Sequence, residues 1–265
     1  MQKKLLFVVA MTAVLAVVFF GCGAAEQSIT VAGSTSVQPV SELLAEAFMD
    51  ANSGITVNVQ GGGSTAGVRA ADDGAADIGA ASRNLKDEEQ HLTEYVIAID
   101  GIAIVVHPSN PLTELTLEQV RMIFAHQITN WSEVGGSNGN IVTVTREEGS
   151  GTRGSFEEIV MGDDAISPDA IVQNSTGACK TTVAGDPNAI SYISVATLDD
   201  TVTPIAVEGT EPTVENIVSG AYPVARPFLY ITKGTPSGPA KTFVDFVMSD
   251  EAQPIIEKAG LVSVR

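Results

Sequence analysis

The chain has 265 residues, with 14 Lys and Arg against 32 Asp and Glu, a formal net charge of −18 and 44% hydrophobic residues. That length holds one large α/β domain or two lobes, and the acidic balance excludes nucleic acid as a partner, because a phosphate backbone demands a basic face. A small anion is not excluded, since surface charge is screened over about 8 Å in physiological salt while buried hydroxyls and N–H groups act at contact.

Lys3 and Lys4 precede an apolar run from Leu5 to Phe20, followed by Gly21 and Cys22. This is the layout of a secretory signal peptide over residues 1–21, too short for the ~20 residues of a membrane span. A small residue followed by Cys points to lipid attachment at Cys22, the alternatives being cleavage near Ala24 or Ala25 or an uncleaved anchor. With Cys22 lipidated, Cys179 has no disulfide partner and is expected as a small buried hydrophobe. His91, His107 and His126 lack the spacing of a zinc helix, so no metal site and no cofactor are expected.

Ile29 to Gly33 is a strand signal that runs into Ser34, Thr35 and Ser36, then into a helix with Pro39 in its first turn and Val40, Leu43, Leu44, Ala47 and Phe48 at helical spacing. The plain alternative is a turn with one capping hydroxyl. Ile55 to Val59 repeats the construction, leading through Gly61-Gly62-Gly63 and Ser64 into another helix. Three consecutive glycines cost conformational entropy and suggest a close backbone approach. Asp77 to Arg83 is a third strand, ending in Ser82 and Arg83. Lys86 to Glu94 reads as a solvated charged helix. Tyr95 to Val106 is a long β-branched run broken by Asp100-Gly101, long enough to pass from one lobe to another. Leu115 to Phe124 is an amphipathic helix, and Trp131 is expected in a core.

Ile141 to Thr145 delivers the stretch Thr145 to Gly154, TREEGSGTRG. Its glycines allow close approach, and the apolar Phe156, Ile159 and Val160 place the start of a helix behind it. Ser150 and Thr152 are donors, and Arg146 and Arg153 offer planar forks suited to a tetrahedral oxyanion. A capped helix behind a charged loop explains the stretch alone equally well. Ala170 to Val172 and Ile190 to Val195 are strands flanking a helix from Thr176 to Ala184. Gly177 to Thr181 is no P-loop, because Cys179 stands where a glycine must precede Lys180. Val214 to Ser219 is a short helix, Arg226 to Thr232 a second long strand, and Ala240 to Ala259 one or two closing helices. Alternating strands and helices predict a mainly parallel α/β architecture, with ligands at the carboxyl ends of the strands. Four hydroxyl-rich turns fall at such ends.

AGSTSVQP (32–39), QGGGSTAG (60–67), DIGAASR (77–83), REEGSGTR (146–153), PNAISYIS (187–194) and KTFVDFVMS (241–249) together resemble the phosphate-binding proteins of ABC-type phosphate importers, over nearly the whole chain from Ile29 to Val262. The resemblance implies an α/β, two-lobed type II periplasmic-binding-protein fold with two crossover strands. Lobe 1 would comprise residues 28–106 and 225–265, and lobe 2 residues 107–224. It implies inorganic phosphate as ligand, held by Thr35, Ser36, Ser64, Ser82, Arg83, Arg146, Ser150, Gly151 and Thr152, with Ser34 as an addition. It further implies a non-enzymatic, extracytoplasmic, monomeric protein that docks on an ABC permease in the membrane. Ser82 stands where several members of the family carry an aspartate that accepts the proton of monohydrogen phosphate, so Asp77 or a hydroxyl is expected to take that role. The competing readings are another tetrahedral oxyanion (sulfate, molybdate or tungstate), a secreted phosphate-ester hydrolase with Ser150 as nucleophile, and an adhesin or sensor without transport. Against the hydrolase, no His is placed beside Ser150, and Gly149-Ser150-Gly151 is not a nucleophile elbow.

Overall fold

The computed structural model describes residues 27–265; the expected signal peptide and Cys22 lie outside the described residues. Strand β1 (Gln27–Gly33) leads to helix α1 (Gln38–Ala51), strand β2 (Ile55–Gly61) to α2 (Ser64–Asp72), and β3 (Ile78–Ala81) to the long β4 (Thr93–Val106). There follow β5 (Glu114–Leu115), α3 (Leu117–Phe124), β6 (Val142–Arg146), α4 (Gly151–Phe156), β7 (Ile171–Gln173), α5 (Thr176–Gly185), β8 (Ala189–Ser194), β9 (Thr203–Val207), α6 (Val214–Val218), β10 (Ala225–Thr232), α7 (Gly238–Val247) and α8 (Gln253–Lys258).

The strands form one path in the order β2-β1-β3-β10-β4-β8-β6-β7, with β9 pairing β4 and β5. Around β1 and around β6 the pairing is parallel. Both β4 and β10 run antiparallel to their neighbours in that path, so the sheet is mixed, with its antiparallel pairings confined to these two strands. The reason is topological: two strands that pass between lobes in opposite senses pair with each other antiparallel along their shared length.

Two lobes result, each with its own apolar core. Ile29, Val31, Leu44, Phe48, Ile78, Ile97, Phe228 and Phe243 pack in one, with Val68, Ala81, Leu229 and Ile231 beneath the other face of the same strands. Ile104, Val106, Phe124, Trp131, Phe156, Ile190, Tyr192 and Ile205 pack in the second, flanked by Ala103, Val105, Cys179 and Val183. Cys179 is the expected buried hydrophobe, and burial pushes its thiol up to about 11. Ile102 to Val106 all belong to the second lobe's packing. Along β4, Ile97 and Ala98 pack in the first core while Ile99 already packs against the second, and Val224 and Ala225 pack with the second core where β10 begins.

Two local expectations are corrected. Residues 86–94 form only a short turn at Asp87–Glu89 before β4 begins at Thr93, because the segment lacks an apolar stripe at helical spacing and so has no face to bury. Asp100-Gly101 does not break β4: the Asp100 carboxylate is met by Ser194 Oγ at 2.8 Å and by Arg226. A charged residue with its partners supplied need not end a strand.

Candidate anion-binding cleft

Each strand that ends at the cleft delivers hydroxyls in the turn behind it. After β1, Ser34 Oγ accepts from the backbone N–H groups of Ser36 and Val37 at 3.2 and 3.4 Å, which folds the turn back on itself. The same hydroxyl donates to Ser82 Oγ, behind β3, at 2.9 Å. Ser64, the first residue of α2, accepts from the Ser82 N–H at 3.1 Å and lies 3.4 Å from its Oγ. Ser34, Ser36, Ser64 and Ser82 are all buried. One lobe thus contributes a compact set of hydroxyls from three strand ends.

The second lobe meets them across the cleft. Thr152 Oγ1 of α4 lies 2.8 Å from Ser36 Oγ, and Thr176 Oγ1 of α5 also lies 2.8 Å from it. The Thr176 N–H donates to Thr35 Oγ1 at 3.2 Å. Thr65 N–H donates to the Gly149 carbonyl at 3.0 Å, and Ser155 Oγ donates to the Ser82 carbonyl at 3.3 Å. Gly63 adopts φ +90°, and a Cβ there would lie 3.1 Å from the Gly149 oxygen and 3.2 Å from Glu147 Oε1. The close backbone approach expected of the glycine run is therefore to the opposite lobe. Gly151 has the same role from the other side, since a Cβ on it would stand 2.2 Å from Ser64 Oγ.

Arg146, the last residue of β6, is buried. Its Nη1 donates to Thr176 Oγ1 at 3.1 Å, while Nε and Nη2 grip the Glu147 carboxylate at 2.9 and 2.8 Å. A buried guanidinium beside hydroxyls that donate and accept is a cradle for a small tetrahedral oxyanion. Among the described residues no buried side-chain nitrogen or oxygen lacks a partner; the hydroxyls satisfy one another, and their rotors can re-aim toward a guest. A cavity of about 490 Å³ opens beside the cluster, with Thr35 and Thr176 in its wall and the Lys180–Asp199 ion pair (2.6 Å) across it.

Of the residues expected at the site, Ser34, Ser36, Ser64, Ser82, Arg146, Gly151 and Thr152 are brought together, with Thr35 at the edge. Two are placed otherwise. Arg83 turns its fork to Glu89, donating at 2.7 and 2.8 Å, and to the Asn84 carbonyl, so its charge is directed at a carboxylate of its own lobe and not at the cluster. Ser150 Oγ caps α4 by accepting from the Arg153 N–H at 3.2 Å. Arg153 itself pairs with Glu157. Asp77 is exposed and lies just before β3, at the end opposite Ser82, where it accepts from the Thr30 N–H at 2.8 Å. It is too far along the strand to take a ligand proton in the cleft.

Thr176 is the site residue that sequence reasoning missed. The signal was present, because Ser175-Thr176-Gly177 after β7 repeats the strand, hydroxyl turn, helix construction; it was read there only as a helix start.

Comparisons with known proteins agree with this geometry. Residues 22–251 match the family described as a PBP superfamily domain. The phosphate-binding protein PstS of Bacillus subtilis (strain 168) is 32% identical over 246 residues, 91% of this chain and 82% of that protein. The crystal structure of a Clostridium perfringens protein assigned as a phosphate ABC transporter substrate-binding protein, with bound phosphate, superposes with a TM-score of 0.87 at 42% identity, covering 90% of this chain and 100% of that one. An ABC-type phosphate transport receptor from Vibrio cholerae superposes with a TM-score of 0.74 at 40% identity, covering 88% and 99%.

Proposed function

Because the chain belongs to the periplasmic-binding-protein superfamily, with its type II fold, and within it to the PstS family of phosphate-binding proteins, we propose that it captures inorganic phosphate between its lobes and delivers it to an ABC permease. The observation that carries this reading is the buried set of Ser34, Ser36, Ser64, Ser82, Thr152 and Thr176 around Arg146, drawn from both lobes. Such a set exchanges water for fixed donors on every side of a tetrahedral guest. Lobe closure then sequesters the anion, as hinged binding domains do. The lobes are residues 28–100 with 225–265, and 101–224. The protein works outside the cytoplasm as a monomer, tethered by lipid on Cys22 once residues 1–21 are removed.

Among the described residues no carboxylate hydrogen-bonds to these hydroxyls, and Glu147 beside them is held by Arg146, so the proton of monohydrogen phosphate is accepted by a serine or threonine oxygen. A hydroxyl both donates and accepts, whereas a carboxylate repels a proton-free anion. Phosphate is still expected to win over sulfate, by a smaller margin than an aspartate would give. Calorimetric titration of the purified protein with each anion tests this; equal affinities would make it a general oxyanion receptor. A thermal melt with phosphate at 100 times Kd should show about 2.7 kcal/mol of added stability, and no shift would refute the phosphate reading. The reading is of binding without hydrolysis: Ser150 Oγ accepts from the Arg153 N–H as the cap of α4, and His91, His107 and His126 hydrogen-bond elsewhere and not to it, so a chromogenic phosphate ester should remain intact.

A further inference from the structure

The two strands that pass between the lobes each carry one buried charged residue, and the two are direct partners across the sheet: Arg226 of β10 pairs in register with Asp100 of β4. Their side chains are 1% and 0% exposed. Arg226 Nε and Nη2 donate to Asp100 Oδ2 at 3.1 and 2.9 Å, and Ser194 Oγ, at the end of β8, donates to Oδ1 at 2.8 Å. Burial opposes ionisation of both partners, pushing the Asp100 carboxyl up and Arg226 down against their mutual attraction. Desolvation of so buried a pair can exceed its Coulombic gain, and apolar replacements are often as stable. Stability alone is therefore a poor account of its presence.

Its position supplies a better one. The nitrogen of Arg226 not engaged with Asp100, Nη1, donates to the Ser82 carbonyl at 3.2 Å. That same carbonyl accepts from Ser155 Oγ of the opposite lobe, while the Ser82 hydroxyl and N–H face Ser34 and Ser64 in the cleft. One residue, Ser82, thus joins the crossover strands, the second lobe and the anion cluster. The geometry points to Arg226 as a positioning residue for the anion site: anchored by Asp100, it fixes the Ser82 peptide so that its hydroxyl is aimed when the crossover strands hold the closed arrangement. The inference rests on the phosphate reading above and adds to it a link between hinge and ligand.

Two variants test it in the full-length protein. Arg226→Lys keeps the charge but offers a single ammonium, which cannot serve Asp100 and the Ser82 carbonyl together. The double variant Asp100→Leu/Arg226→Met replaces the pair by apolar bulk and keeps a folded protein available should the lysine variant misfold. Both should melt cooperatively without phosphate, and both should bind phosphate about tenfold more weakly, through faster dissociation, the loss expected for a hydrogen bond from a charged donor. Ser155→Ala, which removes the other donor to the same carbonyl, should combine non-additively with Arg226→Lys. Wild-type Kd in the folded variants, or strictly additive losses, overturns the inference. A wild-type protein with no phosphate-dependent heat or melting shift overturns the functional reading and this inference together, so the two failures are distinguished.

Discussion

Replacing Gly151 by alanine separates closure of the cleft from stability of the fold. Gly151 opens α4 without a positive φ, so alanine fits its backbone and favours the helix by roughly 1 kcal/mol. Its Cβ, however, would stand 2.2 Å from Ser64 Oγ, 2.7 Å from Ser82 Oγ and 3.0 Å from Ser64 Cβ. Ordinary contact at roughly 3.4 Å requires the lobes to part by about 1.2 Å, which stretches the 2.8 Å contact between Ser36 and Thr152 and the 3.0 Å bond from Thr65 N–H to the Gly149 carbonyl beyond hydrogen-bond reach. With roughly 1 kcal/mol net for each of two or three such bonds, closure loses about 2–3 kcal/mol and Kd rises about 30- to 160-fold. Calorimetry measures the affinity, and a melt without phosphate should give a Tm at or above that of the wild type. A Gly151→Ala protein that binds phosphate with unchanged Kd would refute the claim that the anion is enclosed where these hydroxyls meet.

Thr176→Val keeps the shape of α5 but removes the hydroxyl shared by Ser36 and Arg146; phosphate affinity should fall by about 5- to 150-fold in the same titration, with little change in Tm. Ser150→Ala should cost about 1 kcal/mol of stability by denaturant unfolding through loss of the α4 cap, and leave no phosphatase activity to lose. Glu89 is pushed up by burial, but hydrogen bonds and charge from Arg83 outweigh this and hold it below its ordinary 4.5. Its stabilisation is full above that value and is lost as pH falls through the depressed folded one, so Glu89→Gln should flatten the acid limb of a stability profile below about pH 4.5; an unchanged limb would contradict the pairing. Phosphate Kd should change less than about threefold between 50 and 500 mM sodium chloride, because buried hydroxyls are not screened as surface charges are; a loss above tenfold would show that long-range charge governs binding.

Much of the fold was legible because the strands carry unmixed apolar runs and the turns carry their hydroxyls in plain view. Ile29 to Gly33 and Ile55 to Val59 are strands within two residues of the expected limits. The antiparallel crossover was not legible: residue types along 95–106 and 226–232 specify buried strands but not the sense in which they pair. Strand β9 (TPIAV) was hidden by Pro204, which weakens a strand signal and is tolerated here beside β4. At the site, serine and threonine positions followed from chain-local turns, whereas the direction of a long side chain depends on neighbours distant in sequence. Arg83 illustrates this: its partner Glu89 lay in a segment read as a solvated helix, so nothing in the local pattern opposed an inward-facing guanidinium. Thr176 is the converse, a legible turn whose distance from the other four strand ends was bridged only by folding.

The arginines also explain how a chain of net charge −18 can hold an anion. Arg83 faces Glu89 at 2.7 Å, Arg146 faces Glu147 at 2.8 Å and Arg226 faces Asp100 at 2.9 Å, so each guanidinium near the cleft has its own carboxylate. Their summed charge is close to zero, and bulk attraction contributes little. What remains is dipolar: hydroxyls and N–H groups fixed at strand ends, in a buried region where each hydrogen bond counts for more than in water. Net charge then acts on the rate of encounter, and the fixed donors act on residence. An anion site of this kind places no demand on the sign of the surrounding surface, which leaves the acidic exterior free to serve solubility or docking without weakening the cleft.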